Sequence, residues 1–182
     1  MSRVVIRRER AGDIAAIDAV HRGAFAQSRL AVAAGGGGAS EPPEVGLVHA
    51  LRADDSWIPT LSLVAEDHEG VIGHVCLTRA VVGPFPVLAL GPLGVVPDRQ
   101  RHGVGAALMY SALGAADALD QQLVGLLGSL EYYPRFGFLP GARLGIRPDE
   151  PSWAGHFQVR PLSSYQSDIT GEFRYAAPFY AI

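Results

Sequence analysis

The sequence has no lysine and no asparagine, and it has a single cysteine, Cys76. One cysteine excludes an internal disulfide, and the missing lysine excludes both Schiff-base chemistry and the phosphate loop of nucleoside-triphosphate enzymes. No apolar run approaches the roughly 20 residues of a membrane-spanning helix, and the first residues, MSRVVIRRER, lack the apolar core of a signal peptide. These absences predict a cytoplasmic protein without a membrane anchor.

The chain also lacks a broad positive charge. All 15 basic residues are arginine, and 18 acidic residues bring the net charge to -3. Proteins that bind nucleic acid or a membrane surface use a wide basic field to concentrate phosphate groups, so neither partner is expected. The 182 residues, 48% of them hydrophobic, suit one globular domain over 1–182, with 141–182 as a C-terminal extension of the same domain.

The apolar pattern predicts alternating strands and helices. We expect a strand at 4–9, a helix capped by Asp13, a flexible loop at 31–44 and a short helix at 45–54, followed by a hairpin of strands at 61–68 and 71–82. A strand at 87–97, a helix from about 103 and a strand at 122–129 predict a parallel crossover. Gly91 and Pro92 interrupt the strand at 87–97 and favour a bulge or splay there.

The stretch PDRQRHGVGAALM, from Pro97 to Met109, stands between that strand and the following helix. The first N–H groups of a helix have no partner within the helix and, together with its dipole, attract anions. Gly103 and Gly105 would let the backbone approach such an anion closely. The glycine spacing differs from the G-x-G-x-x-G of dinucleotide-binding proteins. A tight turn without a ligand remains an alternative explanation of these glycines.

The stretch LGVVPDRQRHGVGAAL resembles the coenzyme-A-binding motif of the GNAT superfamily of acyl-CoA N-acyltransferases, Gln/Arg-x-x-Gly-x-Gly/Ala after an apolar strand. YYPRFGF, from Tyr132 to Phe138, is similar to the family's later F-Y-x-x-x-G-F element. The tail resembles a bacterial subgroup of predicted acetyltransferases. The resemblance implies an α/β fold with a central mixed, mostly antiparallel twisted sheet, splayed at its fourth strand and flanked by helices.

The resemblance also implies a reaction, in which acetyl-CoA donates its acetyl group to a primary amine by direct attack on the thioester. It implies contacts of the pyrophosphate with the backbone of Arg101, His102, Gly103, Val104, Gly105 and Ala106. It implies pairing of the pantetheine arm with Leu93, Gly94 and Val95, in the manner of an added strand. Arg99 and Arg101 are candidates for further phosphate contacts. A longer acyl-CoA and a homodimer both stay open.

The resemblance assigns two catalytic roles. Tyr133 matches the family tyrosine near the coenzyme sulfur, where a phenol can act as general acid toward the departing thiolate. The backbone N–H of Leu93 is the expected oxyanion donor, because a fixed dipole needs no reorganisation. Tyr132 and Phe136 are expected to be core aromatics. No asparagine follows the strand at 122–129, so one coenzyme contact of many relatives is missing.

The general base stays open. Glu66 is one candidate, and the others that could relay a proton through water are Asp67, His68, His74, Cys76 and Glu131. His74 and Cys76 share a strand face, but no third ligand has a matching spacing, so we expect no metal. The acceptor would be chosen by the loop 31–44 and the tail. An acidic pocket would favour a cationic amine, with Glu41, Glu44, Glu66 or Asp67 as its candidates. A non-catalytic acyl-CoA sensor is the main alternative function, and a regulator that binds ATP or NAD is a third.

Overall fold

A computed structural model describes residues 3–30 and 41–181. Its strands are β1 (Val5–Arg8), β2 (Trp57–Asp67), β3 (Gly70–Val82), β4 (Phe85–Val95), β5 (Leu123–Leu127), β6 (Leu139–Pro140), β7 (Ile146–Pro148), β8 (Phe157–Pro161) and β9 (Gly171–Arg174). Its α-helices are α1 (Ile14–Leu30), α2 (Pro43–Arg52) and α3 (Val104–Ala118). In these two ranges, no helix has both the length and the apolar character needed to cross a membrane.

The strands form one mixed sheet in the order β1-β2-β3-β4-β5-β8-β6, with β9 pairing with β3 and β7. Strands β1 to β4 are antiparallel neighbours, which confirms the predicted hairpin of β2 and β3. Strands β4 and β5 run parallel and are joined through α3, as the strand–helix–strand pattern predicts. The tail contributes β7, β8 and β9 to the same sheet. The predicted fold class is confirmed.

Strands β4 and β5 diverge after a short stretch of pairing at Leu88↔Val124 and Ala89↔Gly125. Strand β4 continues along β3 to its last residue, but two of its residues, Gly91 and the following proline, face a single residue of β3. Gly91 has a φ of +143°, which a residue with a side chain rarely adopts. The irregularity predicted at this point is therefore a bulge, and β4 separates from β5 beyond it.

The helices cover opposite faces of the sheet, as adjacent residues of β3 show. A β-carbon on Gly73 would lie 2.9 Å from Leu108 of α3, whereas the next residue, His74, contacts His21 of α1. Successive side chains of a strand point to opposite faces. The larger apolar cluster packs between the sheet and the α3 face, where Leu108 is fully buried.

Three predicted boundaries need correction. Asp13 does not cap α1, because it ends a 3₁₀ turn that leads into the helix, and its carboxylate accepts hydrogen bonds from the Arg10 N–H (2.7 Å) and the Arg7 guanidinium. Helix α2 begins at Pro43, inside the loop predicted at 31–44, and residues 31–40 of that loop lie outside the described residues. Strand β2 begins earlier than predicted because Trp57 already pairs with β3.

Candidate functional site

The glycine motif forms the turn between β4 and α3. Gly103 is the N-terminal cap of α3 and has a φ of +86°, a left-handed conformation that costs a residue with a side chain about 1–2 kcal/mol. No side chain of the described residues caps this helix, so its first N–H groups stay available for a ligand. The Gln100 side-chain amide donates to the Val95 carbonyl oxygen at 2.9 Å. This bond ties the turn to the end of β4.

A groove of about 560 Å³ lies beside this turn. Residues from α1, β4, the turn, α3 and the segment after β5 line it, namely Ala24, Phe25, Leu93, Val95, Gln100, Arg101, Gly103, Gly105, Ala106, Tyr132 and Arg135. The groove therefore joins the N-terminus of α3 to the part of β4 that has separated from β5.

Most of the residues predicted to bind the cofactor line this groove, but Gly94, His102 and Val104 do not. Gly94 faces α1, where a β-carbon on it would lie 2.8 Å from His21 Nδ1. The exposed His102 ring is hydrogen-bonded to the Gln100 carbonyl oxygen, and the Val104 side chain is buried. Their predicted contacts involve the backbone and stay predictions.

The backbone of Leu93 and Val95 faces the gap between β4 and β5. The Val96 N–H donates to the Ile72 carbonyl oxygen of β3 at 3.0 Å. In an antiparallel ladder, the backbone N–H and C=O groups of every second residue bond to the same neighbouring strand. Gly94, two residues before Val96, therefore also bonds to β3. The backbone N–H and C=O groups of Leu93 and Val95 point away from β3. Because β5 has already diverged, the N–H groups of Leu93 and Val95 are directed toward the groove.

Tyr132 forms a wall of the groove. The Ser129 hydroxyl accepts the Tyr132 N–H at 3.2 Å and so shapes the turn after β5. The Tyr132 hydroxyl lies 2.8 Å from the position of a β-carbon on Gly105, and the Arg135 guanidinium lies 4.8 Å from the Tyr132 ring centre. Phe136 is 2% exposed, as expected of a core aromatic, whereas the half-buried Tyr132 packs against the edge of the core and also lines the groove.

Tyr133 occupies a different environment at the end of β5. Its ring packs so closely on Gly128 that a β-carbon there would lie 2.2 Å from the ring, and its edge meets Phe138 with ring centres 5.9 Å apart. Burial raises the pKa of Tyr133 to about 12, so the phenol keeps its proton at neutral pH. Tyr133 is not among the residues that line the groove. Its role as general acid stays a prediction.

Two candidate bases are held in ion pairs. Glu66 pairs with Arg7 (Oε2 to Nε, 2.7 Å), and this hydrogen bond lowers the pKa of Glu66. Asp67 accepts the Glu69 N–H and pairs with Arg99 at 3.2 Å, and these bonds, the first above all, lower the pKa of Asp67. Neither carboxylate lines the groove. The role of Glu66 as a base stays a prediction, which its position outside the groove does not favour. Arg99, a candidate for phosphate contacts, pairs with Asp67 outside the groove.

Cys76 and His74 are fully buried. The Cys76 thiol donates to the Gly91 carbonyl oxygen at 3.2 Å, and burial raises the pKa of this thiol, which therefore stays protonated. In the described part of the chain, no three His, Cys, Asp or Glu side chains are grouped to hold a metal ion. His74 contacts His21, for which the sequence predicts no functional role. The sequence feature that could have indicated a role for His21 is its position on the apolar face of α1, where a polar side chain is unusual.

Comparisons with known proteins agree with this geometry. The family model of the acetyltransferase (GNAT) family matches residues 39–138. The uncharacterized N-acetyltransferase YjhQ of Escherichia coli (strain K12) is 34% identical over 143 residues, which cover 74% of this chain and 79% of that protein.

Two solved structures are similar over almost the whole chain. The GNAT family N-acetyltransferase YhbS from Escherichia coli, in complex with CoA, is 29% identical with a TM-score of 0.85, over 99% of this chain and 93% of that one. A GNAT family acetyltransferase from Brucella melitensis, in complex with acetyl-CoA, is 30% identical with a TM-score of 0.76, over 97% of this chain and 98% of that one.

Proposed function

Because the chain belongs to the GNAT acetyltransferase family, and is therefore an acyltransferase that uses acetyl-CoA, we propose that it acetylates a primary amine. Acetyl-CoA supplies an acetyl group activated as a thioester, which the amine attacks directly. The observation that carries the proposal is the groove, which connects the unpaired N–H groups of α3 to the free edge of β4.

The groove suits the polar parts of the cosubstrate. The first N–H groups of α3 suit the pyrophosphate, and Gly103 and Gly105 leave the space that side chains would fill. Arg101 and Arg135 line the same end and add positive charge. Along β4 the N–H groups directed toward the groove suit the amide carbonyls of the pantetheine arm, which can pair like an added strand.

Leu93 is the proposed oxyanion donor. Its N–H faces the gap beyond the bulge at Gly91, and β4 is held in place there by β3 on its other side. A donor that is already fixed stabilises the negative charge developing on the acyl oxygen without reorganising. The thiol of Cys76, bonded to the Gly91 carbonyl oxygen, further fixes this part of the strand.

Tyr133 is the proposed general acid. Its raised pKa keeps the phenol protonated, so a proton is available when negative charge develops on the sulfur. An ordinary thiol has a pKa of about 8.5, so transfer from this phenol is uphill by acidity alone. The proposal therefore requires the Tyr133 hydroxyl to lie beside the breaking C–S bond, so that its position supplies the catalytic advantage.

Three of the four acidic residues considered for an acceptor pocket have arginine partners, whereas Glu44 Oε2 is buried and has no hydrogen-bond partner among the described residues. Glu41, Glu66 and Asp67 are each paired with an arginine. The proposal is accordingly limited to a primary amine, with no preference for a polycation.

Two measurements test this function. Acetyl-CoA should raise the Tm, since a ligand bound by the folded state stabilises it by mass action, whereas ATP and NAD should not. Release of CoA should then be followed with a polyamine, an aminoglycoside, free amino acids and a peptide N-terminus. No Tm shift far above micromolar acetyl-CoA contradicts the groove assignment. Binding without transfer to any of these amines supports the acyl-CoA sensor instead.

A further inference from the structure

A chain of polar side chains runs from α1 across β3 and β2 to the end of β1, outside the groove. His21 and His74 are both 0% exposed, and His21 Nε2 lies 2.8 Å from His74 Nδ1. His74 Nε2 lies 2.9 Å from the Ser62 hydroxyl, which donates to Glu9 Oε2 at 2.5 Å. Arg52 Nε donates to the other carboxylate oxygen of Glu9 at 2.8 Å. Helix α1 is thereby connected to the ion pair between Glu9 and Arg52 of α2.

The ionised carboxylate of Glu9 sets the direction of every hydrogen bond in this chain. Burial by itself raises the pKa of Glu9, but His74, whose Nε2 lies 3.6 Å from Oε2, and the hydrogen bonds from Arg52 and Ser62 outweigh it and lower the pKa to about 2. A carboxylate can accept only, so Ser62 gives it the hydroxyl proton and accepts the His74 Nε2–H. His74 Nδ1 then accepts the His21 Nε2–H, and His21 Nδ1 is left without a proton.

Both imidazoles are neutral, which this assignment requires. Burial lowers the pKa of His21 to about 3, assisted by electrostatic coupling to His74 and by the charge of Arg52. Burial also lowers the pKa of His74, against the opposing effect of Glu9. The charged groups that act on the pair are Glu9, which follows β1, Arg52 of α2 and the more distant Asp13, and of these Glu9 and Arg52 form an ion pair with each other. At neutral pH His21 Nδ1 therefore carries a free lone pair.

This lone pair is directed at the strand that borders the groove. His21 Nδ1 is buried and has no hydrogen-bond partner among the described residues. A β-carbon on Gly94 would lie 2.8 Å from it, and Gly94 stands between the groove residues Leu93 and Val95. Phe25, one helical turn along α1, stacks on His21 with ring centres 5.9 Å apart and lines the groove itself.

An unpaired buried acceptor needs an explanation, since leaving one costs about 1–3 kcal/mol. We propose that His21 Nδ1 accepts the proton of the amine substrate through one water molecule beside Gly94. His74, Ser62 and Glu9 are positioning residues that keep this nitrogen unprotonated and aimed at β4. The inference rests on the proposed function. It identifies the general base for the amine, which the sequence alone does not assign.

The C–N bond forms and the C–S bond breaks, and the amine loses one N–H proton, which passes through the water to His21 Nδ1. The imidazolium charge is stabilised along the chain by Glu9. Because burial opposes a lasting imidazolium, the proton returns through the same water to solvent after the products leave. The sulfur receives a different proton, from Tyr133, and the phenolate left on Tyr133 regains a proton from solvent after the products leave.

The variant His21→Gln separates proton transfer from structure. The glutamine amide can still donate to His74, but it offers no basic nitrogen in place of Nδ1. With hydroxylamine as a small neutral acceptor probe, we expect kcat to fall by about 100-fold or more, the usual contribution of a general base. The KM for acetyl-CoA should be unchanged. The exposed His49, paired with Asp18 at 2.9 Å, provides the matched control His49→Gln, which should keep full activity.

A measurement that needs no substitution guards against misfolding. Imidazole ¹⁵N NMR of the wild-type protein should show His21 Nδ1 unprotonated and Nε2 protonated. In Glu9→Gln, which can donate as well as accept, Nδ1 should gain partial proton occupancy. A purely structural histidine pair would not link this occupancy to turnover.

The outcomes are distinguishable. Full turnover in folded His21→Gln, or a wild-type His21 that carries its proton on Nδ1, overturns the inference and leaves the acetyltransferase function intact. A wild-type protein that binds acetyl-CoA and transfers to neither hydroxylamine nor any other amine overturns the proposed function and this inference together.

Discussion

The hydroxyl of Tyr132 lies against Gly105 in the first turn of α3, 2.8 Å from the position of a β-carbon on that glycine. The contact spans the groove from the segment after β5 to the helix whose N-terminus forms the anion site. Helix geometry does not require a glycine here, because alanine is a better helix former by about 1 kcal/mol. The tyrosine across the groove is what leaves no room for a side chain.

Gly105→Ala should therefore weaken cosubstrate binding without destabilising the fold. The new methyl group displaces the Tyr132 hydroxyl into the groove, and we expect the Kd for acetyl-CoA to rise by about tenfold or more, equivalent to about 1.4 kcal/mol. Calorimetric titration measures the Kd, and a thermal melt measures the Tm. The matched control is Gly114→Ala in the same helix, where no atom lies within 4 Å of the new β-carbon. Equal Kd values for both variants would contradict the prediction.

Tyr133→Phe should lower kcat by about 10²–10⁴-fold, the range of general acid catalysis, while acetyl-CoA affinity stays nearly intact. The ring still packs on Gly128, and only the proton donor is lost. Tyr132→Phe is the control, and we expect a much smaller loss of kcat from it. Steady-state kinetics with an amine acceptor and calorimetry with acetyl-CoA provide the two readouts. If Tyr132→Phe is the damaging change, the general acid is the neighbouring tyrosine.

Glu9 should make stability depend on pH in the acid range. Its pKa is about 2 in the folded protein against an ordinary value of 4.5, so the unfolded chain binds a proton more readily. The resulting stability is complete above about pH 4.5 and is lost as the pH falls toward about 2. Glu9→Gln should lower the Tm near neutral pH, and its difference from the wild type should shrink as the pH is lowered through this window.

The control for this series is Glu172→Gln, which removes a partly exposed carboxylate paired with Arg174 at 2.7 Å. Exposed ion pairs contribute about 0–1 kcal/mol, so its Tm should stay close to that of the wild type. A Glu9→Gln difference that is constant with pH would show that the carboxylate acts by packing alone.

Gly94→Ala should destabilise the fold by about 1–3 kcal/mol, because the added methyl group would lie 2.8 Å from His21 Nδ1 and the ring would have to shift. In a His21→Ala background the same change should cost much less, and the difference is the coupling between the two positions. Denaturant unfolding of the four proteins measures it. Gly46→Ala, on α2 with no atom within 4 Å of the new β-carbon, is the control. If the losses in free energy of unfolding from the changes at Gly94 and His21 simply add, the two residues do not contact each other.

Local signals in the sequence were enough for features that have local causes. Alternating apolar residues and a short turn predicted the hairpin of β2 and β3. Gly91 and Pro92 predicted the bulge in β4, because proline lacks the N–H that a regular ladder requires. Gly103 and the helix after it predicted an anion site at the N-terminus of α3, since unpaired N–H groups belong to the start of any helix. These features follow from backbone chemistry over a few residues.

Tertiary packing decided the placement of individual side chains. Tyr132 and Tyr133 are adjacent and chemically alike. Tyr132 nevertheless packs on Gly105 of α3, whereas Tyr133 packs on Gly128, directly after β5. His21 and His74 are 53 positions apart, and their contact exists because α1 packs on the face of β3 that carries His74. Sequence patterns specify which face of an element is apolar. They do not specify which two polar groups meet beneath it, because that depends on how helices and strands distant in sequence pack together.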